Sequence, residues 1–300
     1  MSHNWDIRIG TLVDGKGSNP AEFIRQILPY GFESFSLTFW ETLGEVDLRQ
    51  LAASVQEVLA DTDVTISALS IFGNPLEETE VDRETLRGWE ALIDHAHLFG
   101  ADIVSGFTGR VRGQSIDASI PRFTHIFEPL TRRAADNGIR LAFENCSMEG
   151  TWQTGDWNIA HGPDAWELLF HALPAENLGL EWEPCHQLVN LIDPLPQLRD
   201  WVKKIFHVHG KDCTIRWDTI KKYGIHGSQS YANHRTPGFG ESNWTDIISE
   251  LRRGGFTGAI DIEGAHDPVY TGELEMTGQV HGLQYLKTCR GGEYIPNPNV

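Results

Sequence analysis

The sequence predicts an α/β protein, a (β/α)8 barrel forming one domain over residues 1–300, with an inserted loop after the seventh strand. Three observations predict it. Eight apolar, β-rich runs alternate with eight amphipathic stretches. Strands separated by helices imply parallel pairing through right-handed crossovers. No linker rich in Gly, Ser or Pro divides the chain, whose length suits one barrel of roughly 250 residues plus insertions. A doubly wound dinucleotide sheet is the competing architecture, but the segment after the first run, GTLVDGKGSNP, carries neither a GxGxxG nor a P-loop pattern.

In order, the first strand is expected at residues 7–13, with a helix starting at Asn19-Pro20, residue types that cap a helix and open its first turn. The second strand, 35–39, precedes a helix from about Asp47. The third, 64–72, precedes one capped by Asp82, with Glu84 behind it. Strands at 103–107, 140–145 and 178–183 lead to helices near Ser119, Gly162 and Leu195. The seventh, 204–209, is followed by about twenty polar residues, 213–234, and only then by a helix capped by Asn243. The eighth, 259–263, leads to a helix near Glu275.

Composition narrows the function classes. A formal charge of −18, from 24 basic and 42 acidic residues, opposes phosphate backbones and favours a small neutral or cationic partner. No nucleic acid and no membrane partner is expected, because no run approaches the 18 or so apolar residues of a span. The start, MSHNWDIRIG, lacks the charged-then-apolar pattern of a signal peptide, which predicts a cytoplasmic protein. Cys146, Cys185, Cys213 and Cys289 form no CxxC pair, so neither a disulfide framework nor a thiolate zinc site is expected.

The chemistry gathers at strand ends, where a barrel of this kind builds its active site. Glu183 and His186 stand three apart where the sixth run stops, and His207 and His209 two apart at the end of the seventh. Because side chains alternate along a strand, His207 and His209 share a face, as do Glu181 and Glu183. The fifth run ends on Glu144 and the eighth on Glu263. Glu144, Glu183, His209 and Glu263 thus stand on four successive strands, a carboxylate and imidazole set suited to Mn, Mg, Co or Zn.

Several neighbours have plainer readings. His207, one layer deeper than His209, is expected in the core or behind the ligands, and Glu181 and Asp261 are expected to pair with a Lys or Arg inside the barrel. Cys146 and Cys185 are expected as small buried hydrophobes. Lys211 has two readings, a substrate contact or a loop salt bridge. Trp40 and Phe72 follow strands two and three, where they either line the mouth or simply pack.

These residues resemble the xylose-isomerase-like TIM barrels, a superfamily of sugar isomerases and epimerases, inosose dehydratases and the family 2 AP endonucleases, and the resemblance covers nearly the whole chain. Its ketose 3-epimerase branch holds a metal with Glu, Asp, His and Glu from the last four strands, which implies Glu144, Glu183, His209 and Glu263 here. The family's Asp-x-x-His becomes Glu183 to His186, and its Arg-x-Pro-Gly-x-Gly becomes Arg235 to Gly240. Three departures stand out: Glu183 replaces an Asp, residues 213–234 are longer than in those epimerases, and Gly150 stands where they carry a second Glu.

The resemblance implies one divalent cation, Mn2+ foremost with Mg2+, Co2+ or Zn2+ as alternatives. It also implies a sugar, keto-sugar or cyclitol isomerase or epimerase working by proton abstraction through an enediolate. Glu144 and Glu263 would act as acid and base, while His186, Arg235, Lys211 and Trp40 would hold substrate. The alternative is a lyase or dehydratase on 3-keto-sugars or inososes, including a C-glycoside deglycosidase catalytic subunit. A homo-oligomer, dimer or tetramer, is expected, with a small partner subunit as a further possibility. Residues 213–234 would be a lid or subunit contact. An AP endonuclease would need a basic groove that a charge of −18 does not supply.

Overall fold

Eight parallel strands close on themselves, and each reaches the closure through a helix on the outside. The computed structural model describes residues 7–292 together with Ile295, Asn297 and Pro298. The reading of the first residues as lacking a signal peptide falls on 1–6, outside the described residues.

The barrel strands are β1 (Arg8–Asp14), β2 (Ser34–Trp40), β3 (Thr65–Phe72), β4 (Ile103–Gly106), β5 (Arg140–Glu144), β6 (Leu178–Trp182), β7 (Ile205–Gly210) and, after two further short strands, β10 (Ala259–Ile262). Their order is β1-β10-β7-β6-β5-β4-β3-β2, closed. Each lies within a residue or two of its sequence prediction, because apolar β-branched runs flanked by polar turns encode strand position locally.

The helices are α1 (Pro20–Ile27), α2 (Leu48–Leu59), α3 (Glu80–Phe99), α4 (Ile116–Asp136), α5 (Pro163–Ala172), α6 (Pro184–Val189), α7 (Pro194–Trp201), α8 (Trp217–Tyr223), α9 (Trp244–Arg253) and α10 (Glu275–Arg290). Two begin earlier than expected. In α3 the cap is Thr79, whose side chain accepts from the Asp82 amide while the Asp82 carboxylate accepts from the Thr79 amide. Asp82 therefore closes a capping box from inside the first turn. In α4 the helix starts at Ile116 after Ser115, and Pro121 is accommodated inside it.

The helices bury one stripe each. Leu48, Leu51, Ala52, Val55 and Leu59 do so in α2, at the i, i+3, i+4 spacing of an amphipathic helix. The densest packing lies between α3, α4 and β5, where Trp89, Phe123, Phe127 and Phe143 are fully buried and the Phe127 and Phe143 rings meet edge to face at 4.9 Å. Among the described residues, no helix is long and apolar enough to cross a membrane.

The segment after β7 carries regular structure. Strands β8 (Asp212–Ile215) and β9 (Ala232–Arg235) pair antiparallel as a hairpin carrying α8 at its tip. Its base is welded to the barrel by the buried Asp212, whose carboxylate accepts from the Cys213 and Ser242 amides at 2.8 and 2.9 Å and from the Trp244 indole at 3.2 Å. It has a small apolar contact of its own, in which Cys185, Cys213 and Ile215 are buried together.

Candidate metal centre and substrate cavity

The period of two brings the predicted side chains inward at the C-terminal rim. Ligand-capable atoms of Glu144, Glu183, His209 and Glu263 all lie within 4.8 Å of one another. The His209 ring places Nδ1 3.0 Å from Glu144 Oε1 and 3.4 Å from Glu263 Oε2. Glu183 is fully buried, yet neither of its carboxylate oxygens has a hydrogen-bond partner, and neither does Oε2 of Glu263 or Nε2 of His186. His186 Nε2 approaches Glu183 Oε1 at 2.5 Å without the alignment of a hydrogen bond. Orphaned buried carboxylate oxygens are costly, and a cation held at their common focus would satisfy them. The donor set fits a divalent ion.

Two asparagines that sequence reasoning missed hold this rim in place. Asn145 accepts from the Glu183 amide at 2.7 Å and donates to the Glu183 carbonyl at 2.9 Å, so it clamps the residue at the turn between β6 and α6. Asn158 donates to the carbonyls of Glu144 and Cys146 at 2.8 and 2.7 Å. The signal for Asn145 was its place directly after a proposed ligand. Asn158 has no such signal, because its loop is brought back over β5 only in three dimensions.

One step deeper lies a second polar layer. His207 sits between Glu181 and Asp261, with Nδ1 and Nε2 each 2.7 Å from a carboxylate. Glu181 also accepts from Ser105 at 2.7 Å, and Asp261 from Ser34 at 2.5 Å and from Ser67. The expected Lys or Arg partner for Glu181 and Asp261 is replaced by His207, since barrel closure stacks the three residues on adjacent strands β6, β7 and β10. Gly10 makes room: a Cβ there would lie 2.1 Å from Asp261 Oδ1. The layers touch where His209 Nε2 lies 3.2 Å from Glu181 Oε1, a charge contact without the alignment of a hydrogen bond.

Electrostatics separate the two rim glutamates. Burial raises the Glu144 carboxyl above its ordinary range, and the His209 contact does not reverse this. Glu263 is somewhat more exposed, and Lys211, 2.7 Å away, together with His209 and His266, holds it well below that range against the effect of burial. Burial keeps the thiols of Cys146 and Cys185 protonated, raising both. They behave as the small buried groups that were expected.

Above the rim lies a cavity of about 420 Å³. Trp40, Phe72 and Phe107 line it from the β2–β4 side, while Lys211, His186 and His234 line it from the other. Trp40 is 48% exposed and meets Phe107 edge-on at 6.4 Å. Lys211 is buried against Glu263 and faces the cavity, so its salt bridge and its place at the site are the same contact. His234, from β9, and His266 were not singled out from the sequence. Their rings form a chain with His186, at 5.2 Å and 5.9 Å between centroids, and His266 Nε2 is 3.2 Å from Glu263 Oε1.

Arg235 is the predicted site residue that the structure does not bring to the cavity. Its Nε donates to the buried Asp267 at 3.0 Å and its guanidinium lies over Phe239 at 5.7 Å. There it fastens the end of the hairpin to the loop after β10. A separate recess of about 490 Å³ at the opposite end of the barrel, near Arg8, Ser67 and Phe206, contains none of the rim carboxylates.

Comparison with known proteins agrees with this fold. The family described as xylose isomerase-like TIM barrel matches residues 24–289. The Bacillus subtilis protein YfiH is 21% identical over 86% of this chain and 92% of its own length. The rhizopine catabolism protein MocC of Rhizobium meliloti is 26% identical over 59% of this chain and 49% of its own. Among solved structures, 3-keto-D-glucoside 4-epimerase YcjR from E. coli superposes with a TM-score of 0.71 at 15% identity, covering 94% of this chain and 100% of that one. An L-ribulose 3-epimerase gives 0.69 at 15%, covering 95% and 96%. At these identities the structural likeness speaks for the fold.

Proposed function

The chain belongs to the xylose isomerase-like TIM barrel family, and from that premise we propose that it is a divalent-cation-dependent enzyme acting on an unphosphorylated sugar, keto-sugar or cyclitol. It moves a carbon-bound proton next to a carbonyl, as an isomerase or epimerase. The observation that carries the reading is the cluster of Glu144, Glu183, His209 and Glu263, with buried carboxylate oxygens left unpartnered and with Glu144, His209 and Glu263 lining the cavity. Structural neighbours whose names describe sugar epimerases support it.

A bound cation, Mn2+ foremost, supplies the positive charge that stabilises a developing oxyanion on the substrate carbonyl. The chain's own residues do the rest. Glu144 and Glu263 end strands on different sides of His209, so one carboxylate takes the proton and the other returns one at the neighbouring or opposite face. Lys211 and His186 donate to substrate oxygens beside them. The aromatic side formed by Trp40, Phe72 and Phe107 receives the apolar face of a sugar ring and excludes water.

The test is exchange of substrate protons with D2O, followed by NMR over a panel of free sugars, 3-keto-sugars and inososes with the Mn2+-loaded protein. Exchange at a carbon next to the carbonyl is the expected result, and a panel without exchange counts against the reading. Elimination begins with the same abstraction, and the extra hairpin at the mouth is the observation that keeps it as the second reading. Release of water or an aglycone in the same experiment would select it.

A further inference from the structure

The cavity above the rim does not end at the sugar-sized space. A second cavity of about 530 Å³ lies between the loop after β5 and the β8–β9 hairpin. Cys146, Met148, His186 and His234 line both, so the two volumes are neighbours that share a wall of four side chains. Trp157 joins them as well: it lines the outer space and meets Trp40 of the inner one at 5.6 Å, with the two rings tilted by 38°. Each is within the range of small-ligand pockets, roughly 300–1,000 Å³.

The lining of the outer compartment has a definite chemistry. It combines Trp157 and the ring of Tyr231 with Val189 and with the amide and hydroxyl of Gln229 and Ser230. The Tyr231 hydroxyl is already donated to the Val189 carbonyl at 2.8 Å, which anchors that ring in the lining. No Lys or Arg lines the compartment, and Glu149 does. An anionic group would find no counterion there, whereas a neutral ring would find aromatic faces and hydrogen-bonding groups. The chain accepts backbone strain to build this wall: Met148 and Glu149 both hold positive φ, 47° and 60°, a conformation that non-glycine residues adopt at a cost of roughly 1 kcal/mol or more each.

We propose that the outer compartment is a second subsite that takes a neutral ring joined to the reacting sugar, so that the substrate is a glycoside and not a free monosaccharide. The inference rests on the reading of the inner site as a sugar site. It makes the hairpin, through His234, Gln229 and Tyr231, the element that determines specificity.

The experiment measures binding, by calorimetry and by quenching of tryptophan fluorescence, for the Mn2+-loaded protein. The probes are methyl 3-keto-β-D-glucoside, phenyl 3-keto-β-D-glucoside and 3-keto-cellobiose. At least one ring-bearing probe should bind about tenfold or more tightly than the methyl glycoside. The phenyl and cellobiose arms tell an aromatic aglycone from a second sugar. Ala232→Trp, which fills the compartment from β9, should erase that preference and leave methyl glycoside binding unchanged. Gln229→Trp, on the exposed part of the hairpin, asks the same question without altering strand packing.

Equal binding of all three probes, a preference that survives both substitutions, or no binding of any probe overturns the proposal. D2O exchange into the methyl glycoside is recorded alongside. Exchange without a ring preference leaves the proton-transfer reading standing and removes the second subsite. A ring preference without exchange does the reverse.

Discussion

Two rings of acid and imidazole groups lie one above the other inside this barrel, and the chain has treated them oppositely. In the deeper one, Glu181, His207 and Asp261 are fully buried. Both ring nitrogens of His207 meet a carboxylate, and three serines complete the shell, leaving only Oε2 of Glu181 unpartnered. In the upper one, Glu183 has no hydrogen bond to either oxygen, and Glu263 and His186 each present a bare atom. The residue types are the same and their separation along each strand is two residues. A satisfied buried network is architecture, because every group has replaced its water; an unsatisfied one persists only where something else is meant to occupy it. The proposed assignment of the upper ring as the working site, with His207 in a supporting part, rests on that difference.

The largest effect that could break this comparison is on turnover. Glu144→Gln and Glu263→Gln should each slow proton exchange by about 10²–10⁴-fold, since an amide cannot take up the proton. Measured with chelator, Glu144→Gln should remain as stable as wild type, while Glu263→Gln should be less stable because it takes the charge partner from the buried Lys211. Exchange near the wild-type rate in either variant would remove that residue from the chemistry.

Next is the stability of the deeper ring. His207→Phe leaves two carboxylates buried without their shared partner and should cost about 3–5 kcal/mol by urea denaturation. Substituting Glu183→Gln in the upper ring should cost nothing in the absence of metal. If the two variants unfold at the same urea concentration, the distinction between the rings is lost.

Metal affinity sharpens the point where the rings touch. Glu181→Gln removes the charge behind His209 and should weaken Mn2+ binding about 10–100-fold by calorimetry, while Glu183→Ala abolishes it. Unchanged affinity in Glu181→Gln would mean that the deeper ring does not orient the upper one.

The smallest expected effect is at the clamp. Asn145→Ala strips the Glu183 amide and carbonyl of their partners and should cost about 1–3 kcal/mol, together with a several-fold loss of Mn2+ affinity. A stability loss with affinity intact would show that Glu183 keeps its place without the clamp.

Much of this was legible before any coordinates. The strand runs carry apolar and β-branched residues at the period of two, and that period alone says which of Glu181 and Glu183, or His207 and His209, share a face. Capping chemistry located α1 and α9 at Asn19 and Asn243, each of which does cap its helix, whereas Asp82, expected as a cap, stands inside the first turn of α3 behind Thr79. Strand-end positions singled out Glu144, Glu183, His209 and Glu263, because a parallel barrel presents those ends to one mouth. All of these are statements about neighbours in sequence.

What only the tertiary structure decided concerns partners far apart in the chain. His207 chooses Glu181 and Asp261 from 26 and 54 residues away, and Arg235 turns to Asp267 across 32. His234 reaches the cavity because β8 and β9 pair across a polar segment with no strong strand pattern. Trp157 and Asn158 arrive on a loop folded back over β5. Local pattern sets the direction in which a side chain points, through the geometry of the backbone it stands on. Closure of the barrel sets what it meets there, because that depends on which distant strand ends are brought to the same few ångströms.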